Sequence, residues 1–444
     1  MKQDRSRKID ELVTRTMVEE KIPGISLSVV DKEGIVYSRG YGSRRLEGNL
    51  PATPDTLYGI GSCSKSFAAL AVMQLVERGK VDTHDLISDH LPVDFGSREV
   101  TVHHLLTHSS GMPSLAVSEL LIDRLIGMDE RGTPMGSLED FYQHLNGAVD
   151  EMREPGELFF YFNSGYTLLG ELVSTLSGMP FEVFVKKNIL EPLNMERSTF
   201  LEEEYEVDPD VMTPYFMDED SPKPTPIPLR ELGYAPGGLM SSVRELSSYI
   251  MMNMNGDERL LDRDLLEKMH MPYVKRPGGA YGYGWSVEEF MGHKFVGHGG
   301  SIAVSTAYVG FTPTAGIALL INTAGATSPQ FLAKACLSLA EGRDHMEDVP
   351  YYTRRERMKQ LTGEYHSYRG LKKARVEPLG ALLKLTFLER LEKETYALVP
   401  EHKLLEGYRF HAITGDGTRI PVEFDVDERR VDLYIDRWRL HKTA

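Results

Sequence analysis

From Phe67 to Val76 nearly every residue is apolar, without the polar face that a surface helix keeps, and the run predicts a helix buried on all sides. Gly79 is placed to end it, because glycine accepts the left-handed conformation past a helix C-terminus. Residues 10–20 predict an earlier helix. Ile25–Val30 and Ile35–Tyr41 then predict two strands around the turn Asp31-Lys32-Glu33-Gly34. Helical and loop patterns dominate from about 83 to 270, where DEDSPKPTPIP (218–228), rich in proline and acid, is expected to be a loop. Strand patterns return at 281–322, with STAYVGF and GIALLIN flanking TPTA as a hairpin. SPQFLAKACLSLAEG then reads as a helix.

These elements predict an α/β (α+β) domain over residues 1–350. An antiparallel sheet drawn from both ends of that stretch is flanked by helices, and an all-helical subdomain is inserted at about 67–270. The charged stretch GRDHMEDVPYYTRRERMKQ interrupts, and beyond it the period changes to two. Val422, Phe424 and Val426 alternate with Glu423 and Asp425, and Val431, Leu433 and Ile435 alternate with Asp432, Tyr434 and Asp436. With GDG and PLG turns between short strands, 360–444 predicts a small antiparallel β-barrel or sandwich.

A chain of 444 residues exceeds one ordinary core, which agrees with two domains. The net charge of −16 disfavours nucleic acid as a partner, since phosphate binding needs basic surface. Two cysteines, Cys63 and Cys336, make no disulfide framework and suit a reducing compartment. The charged N-terminus lacks the apolar core of a signal peptide, and no run of 18 apolar residues occurs. A cytoplasmic protein with no membrane partner is the expectation.

Ser62 and Lys65 stand at the mouth of the apolar run, three residues apart, so at the start of a helix they share a face. A serine there sits where backbone N–H groups stabilise developing negative charge. A lysine one turn along is costly to bury charged, and desolvation makes it a usable base. The spacing alone is weak, because S-x-x-K arises roughly once by chance in such a chain. A structural ion pair is the plain alternative for Lys65.

Context adds weight. GSCSKSF resembles the nucleophile motif of the serine β-lactamase and penicillin-binding-protein superfamily. Tyr161-Phe162-Asn163, within PGELFFYFNSGYTLLGELV, is similar to the Tyr-x-Asn motif of its class C and carboxypeptidase branch. His298-Gly299-Gly300, within FVGHGGSIAVSTAYVGF, resembles the His-x-Gly of its CubicO-like members. The three occur in the family's order, with LLTHSSGMP (105–113), YAPGGLMSS (234–242) and YGYGW (281–285) in agreement. The resemblance covers about 15–345. The whole chain is similar to CubicO-type archaeal serine peptidases with a C-terminal lipocalin-like barrel.

The resemblance implies Ser62 as nucleophile and Lys65 or Tyr161 as base, with the choice between them open. It implies that Asn163 orients Lys65 and a substrate carbonyl, and that His298 hydrogen-bonds near Tyr161 or a substrate carboxylate. Backbone N–H groups of Ser62 and Ser301 would form the oxyanion hole. Gly299 and Gly300 would let substrate backbone approach. A histidine where relatives carry lysine has a less certain positive charge, which loosens carboxylate recognition.

Other residues read more plainly. Ser64 and Ser66 lack a lysine three residues on, and Cys63 reads as a buried filler. His104 and His108 have i,i+4 spacing but no third ligand, so helix capping and packing suit them better than metal. Tyr281, Tyr283 and Trp285 fit either the cleft or the strand core. The expected function is hydrolysis of short peptides through a Ser62 acyl-enzyme, with preference for D-amino-acid-containing substrates and no metal or organic cofactor. An esterase or weak β-lactamase of the same fold, or a slow-turnover penicillin-recognising protein, is the alternative. The barrel is either an appendage, a cover for the cleft, or a subunit interface; assembly into a homo-oligomer stays open.

Overall fold

The computed structural model describes residues 1–218, 221–228, 230–322, 328–388 and 394–443. The chain divides into two compact units, Met1–Arg343 and Asp344–Ala444.

The first unit is built on a nine-stranded antiparallel sheet. Its strands are β1 (Gly24–Asp31), β2 (Ile35–Arg45), β3 (Leu50–Pro51), β4 (Val274–Arg276), β5 (Gly279–Tyr281), β6 (Ser286–Phe290), β7 (His293–Ser301), β8 (Thr306–Phe311) and β9 (Ala315–Ile321). Their spatial order is β3-β2-β1-β9-β8-β7-β6-β5-β4, so the two chain ends meet at the β1–β9 pair, in register from Ile25↔Ile321 to Asp31↔Ala315. The central strands β1, β8 and β9 are buried along almost their whole length, which explains why few of their residues are polar and none but Asp31 is charged. Helices α1 (Gln3–Glu20), α6 (Val243–Asn255) and α7 (Pro329–Glu341) cover the sheet.

Between β3 and β4 lies the helical subdomain. Its centre is α2 (Ser64–Glu77), buried from Ser64 to Leu75 as the uniform apolar pattern predicts. Gly79 closes it with φ +64°, and its N–H bonds to the Val76 carbonyl. Against α2 packs α5 (Asn163–Ser177), and against α5 in turn pack α3 (Val102–Leu106) and α4 (Val117–Leu125). Among the described residues no single helix is long and apolar enough to cross a membrane.

The segment expected to be a loop at 218–228 departs from that reading. Tyr215–Asp218 and Ser221–Pro224 form a two-stranded antiparallel ribbon, while 219–220 lie outside the described residues. Both strands of such a ribbon are edges, where proline's missing N–H costs no ladder bond.

The second unit opens with helices His345–Asp348 and Pro350–Leu361 over the charged stretch, which carries no amphipathic pattern to announce them. Eight consecutive antiparallel strands then close into a barrel, the first pairing the last through Glu364↔Thr443 and His366↔His441. Val422, Phe424, Leu433 and Ile435 point inward as the alternation predicts. Asp432 breaks the pattern by being fully buried. Its oxygens accept from Arg439 at 2.7 Å and His441 Nδ1 at 2.6 Å. Burial raises its proton affinity, but those hydrogen bonds outweigh it and hold the carboxyl below its ordinary range.

Candidate active site

Ser62 lies in a 3₁₀ turn, Gly61–Cys63, immediately before α2. Lys65 follows one turn on and is fully buried. Its Nζ donates to Ser62 Oγ at 3.1 Å, Asn163 Oδ1 at 2.7 Å and the Pro236 carbonyl at 2.7 Å. Among the described residues no carboxylate pairs with it, so the structural ion-pair reading finds no partner there. Three acceptors satisfy the charged ammonium. The neutral amine keeps two of those bonds and turns its lone pair to the Ser62 hydroxyl. Burial pushes the Lys65 pKa down to about 7, so both forms are accessible near neutrality.

Local packing fixes those acceptors. Asn163 is the first residue of α5. Gly170, also on α5, admits Ala235 so closely that an added Cβ would sit 2.8 Å from the alanine Cβ. That approach seats the 234–237 turn, and with it the Pro236 carbonyl, against the lysine.

Strand β7 brings the third motif. It pairs with β6 only as far as Gly297↔Ser286, so 298–301 keep one edge free of the sheet. That edge meets the Ser62 turn. A Cβ on Gly300 would lie 1.9 Å from the Ile60 carbonyl and 2.9 Å from Ser62 N; one on Gly61, with φ +53°, would lie 2.4 Å from Ser301 N. The backbone nitrogens of Ser62 and Ser301 therefore stand side by side. This contact within the protein already requires that Gly300 have no side chain. Gly299 meets nothing closer than 3.5 Å and does leave space.

Tyr161 completes the group. Burial pushes its phenol well above the ordinary tyrosine range, opposed by a hydrogen bond with the Ser62 side chain, so it is held neutral. The Lys65 ammonium lies 4.9 Å from the Tyr161 ring centroid and 5.4 Å from that of Tyr166.

His298 differs from its expected contacts. Nδ1 lies 2.6 Å from the Gly299 carbonyl, an acceptor only, so Nδ1 carries the proton. Nε2 accepts from the Tyr281 hydroxyl at 2.8 Å. The ring thus bonds Tyr281 rather than Tyr161, whose centroid is 6.2 Å away. Burial, reinforced by the charge of Lys65, pushes the His298 pKa down to about 3 and leaves it neutral.

His108, expected only to cap or pack, lies beside Tyr161. It is buried, with φ +58°, and its ring lies 4.2 Å from that of Tyr161. Its carbonyl accepts from Phe160 N at 2.9 Å and its Nδ1 from Phe162 N at 3.0 Å. No local pattern signals this, since the bonds span more than fifty residues between two loops. His104 instead closes a capping box with Thr101 at the start of α3.

The remaining candidates are inert. Ser64 and Ser66 donate to the carbonyls of Gly61 and Cys63, both at 2.8 Å. Cys63 donates to the His298 carbonyl at 3.1 Å, and burial pushes its thiol up to about 12. Tyr283 bonds His103 Nδ1 at 2.8 Å, and Trp285 is buried core against Tyr249 and Phe311. Among the described residues no group of three or more His, Cys, Asp or Glu is placed to hold a metal. Two cavities are lined by residues of this group. One of about 210 Å³ is lined by Tyr161, His298, Gly299 and Arg276; the other, of about 340 Å³, is lined by Ser62, Asn163 and Ser301.

Comparison with known proteins finds relatives of both units. Residues 9–341 match the Beta-lactamase family and 346–441 the Pab87 octamerisation domain. The structure of the octameric penicillin-binding protein homologue from Pyrococcus abyssi is similar over 98% of this chain and 100% of that one, with a TM-score of 0.93 and 38% identity. A penicillin-binding protein from Bacillus halodurans is 26% identical, with a TM-score of 0.63 over 74% of this chain and 99% of its own. Protein flp of Staphylococcus aureus (strain COL) is 26% identical over 72% of this chain, which spans 63% of that relative's length. The chain belongs to the Beta-lactamase family, the fold of β-lactamases and penicillin-binding proteins, and carries a C-terminal Pab87 octamerisation domain.

Proposed function

We propose that this chain is a serine hydrolase of short peptides that works through a Ser62 acyl-enzyme and prefers substrates containing D-amino acids. The observation that carries it is the Lys65 amine, buried, carboxylate-free and 3.1 Å from Ser62 Oγ. Neutral Lys65 takes the hydroxyl proton as Ser62 attacks the carbonyl carbon. The oxyanion accepts from the backbone N–H groups of Ser62 and Ser301. Tyr161, held neutral, gives its proton to the departing amine and is reprotonated by the Lys65 ammonium. Water then reverses the sequence and frees Ser62. Asn163 keeps Lys65 aimed throughout. Between the two candidate bases the environment favours Lys65, because burial lowers its pKa and raises that of Tyr161.

The D-residue preference is supported by the likeness to penicillin-binding proteins, whose superfamily acts on peptides ending in D-amino acids. Assembly follows the same reasoning: the octamerisation-domain match and the octameric homologue support an octamer for this chain. Matched D- and L-residue peptides, assayed with wild type and Ser62→Ala, test the reading. Cleavage of the D-series, lost in Ser62→Ala, is expected. Ester hydrolysis without peptide cleavage would move the chain to the esterase alternative. A penicilloyl adduct that persists without turnover would make it a penicillin-recognising protein instead.

A further inference from the structure

The position of Tyr161 fixes how a peptide lies in the cleft, granted the acyl-enzyme mechanism proposed above. The departing amine must reach the Tyr161 hydroxyl, so the leaving half occupies the cavity lined by Tyr161, His298 and Gly299. The acyl half then fills the cavity of about 340 Å³ on the other side, where Ser62 and Ser301 share a wall with α4. That volume is near the lower end for ligand sites, so it suits a short acyl group whose far end touches the wall.

Three charged side chains stand on this wall: Glu119, Asp123 and Arg230. Two are already matched. Asp123 takes Arg131 at 2.7 Å, and Arg230 lies 2.9 Å from Glu202. Glu119, in the first turn of α4, has no ion pair or side-chain hydrogen bond among the described residues. It shares the cavity with the nucleophile and with the apolar Leu121 and Ile302, and its charge is felt at both Lys65 and Tyr161. An uncompensated carboxylate facing a substrate cavity selects a cation and disfavours an anion.

We propose that Glu119 is a specificity-determining residue that receives an ammonium group on the acyl half of the substrate. The enzyme therefore prefers peptides with a positive charge one or two residues before the scissile bond. Two sources share this chemistry, a free N-terminal α-ammonium and a lysine side chain.

The test compares kcat/KM on short alanine peptides ending in p-nitroanilide, in the D-series, with the N-terminus free, acetylated, or acetylated with lysine next to it. Methyl esters of the same acyl groups are followed by proton release. Wild type is expected to favour a cationic substrate by roughly fivefold. In Glu119→Gln that preference shrinks below twofold, because the cationic substrate loses most and the neutral one falls less than threefold. Preference for the free N-terminus identifies the α-ammonium; preference for acetyl-lysine identifies the side chain. Equal handling of neutral and cationic substrates by wild type overturns the proposal, as does an equal loss on all of them in Glu119→Gln. Failure of the peptidase reading looks different: no anilide turns over, yet the ester series still reports the charge preference.

Discussion

His108 holds the chain on both sides of Tyr161, its carbonyl accepting from Phe160 N at 2.9 Å and its Nδ1 from Phe162 N at 3.0 Å. The segment between them lies outside helix and strand, so these two bonds and the ring contact set where the Tyr161 hydroxyl stands. Asparagine at 108 tolerates positive φ and offers an acceptor near the Nδ1 position; leucine does neither. His108→Asn is expected to keep amide hydrolysis within about fivefold, while His108→Leu lowers it roughly a hundredfold. Hydrolysis of a p-nitrophenyl ester, whose leaving group needs no proton, should fall far less in His108→Leu. Equal losses on amide and ester would mean that His108 only supports the fold.

The pH dependence follows from Lys65. As a base it must be neutral, so kcat/KM should fall about tenfold per pH unit below its pKa of about 7 and level off above it. Neutral Tyr161 must stay protonated, and its raised pKa keeps it so beyond the ordinary tyrosine range. His298, near 3, titrates below this window. A pH series from 5 to 9 on a saturating-buffer scale checks the shape, and a decline between 7.5 and 9 would remove Lys65 from the role of base. Lys65→Ala should cost about a thousandfold or more, close to the loss in Ser62→Ala, because the two act as a unit.

Gly299 and Gly300 separate substrate space from protein packing. Gly300→Ala drives a Cβ to 1.9 Å from the Ile60 carbonyl and should lower Tm by roughly 5 °C or more along with activity. Gly299→Ala meets no atom closer than 3.5 Å, so Tm should hold within about 2 °C while peptide hydrolysis falls. Thermal unfolding and kcat/KM on both variants decide this. A stable, active Gly300→Ala would mean that the turn and strand are not pressed together in solution.

The proposed assembly is read by light scattering. Eight chains of 50.0 kDa give a particle of about 400 kDa. A mass near 50 kDa across working concentrations would reject the octamer for this chain.

What could be read from the sequence was whatever a short-range pattern carries. The alternating barrel strands follow from a period of 2, and α2 and the central strands of the sheet from largely apolar runs of different length. Ser62 and Lys65 were legible because three residues is about one helical turn, and Tyr161, Asn163 and His298 because they resemble a known family's motifs in that family's order. The Pro236 carbonyl and the His108 clamp were not legible, since each joins loops or backbone atoms that are far apart in the chain, and the His298–Tyr281 bond was not because it reaches between β7 and β5, which are not adjacent in the sheet. Asp432 defeated its alternation because Arg439 and His441 on the neighbouring strand make its burial tolerable. The 215–224 ribbon and the helix at 350–361 carry no periodic apolar stripe for a pattern to reveal.

The central claim is that Ser62 is the nucleophile and Lys65 its base. Intact mass after incubation with a fluorophosphonate, followed by peptide mapping, tests both in one experiment when the labelling rate is taken across pH. A single adduct on Ser62, formed at a rate that rises through about pH 7 and absent from Ser62→Ala, is the expected result. Labelling at another residue, or none in protein that still hydrolyses its substrate, would contradict it.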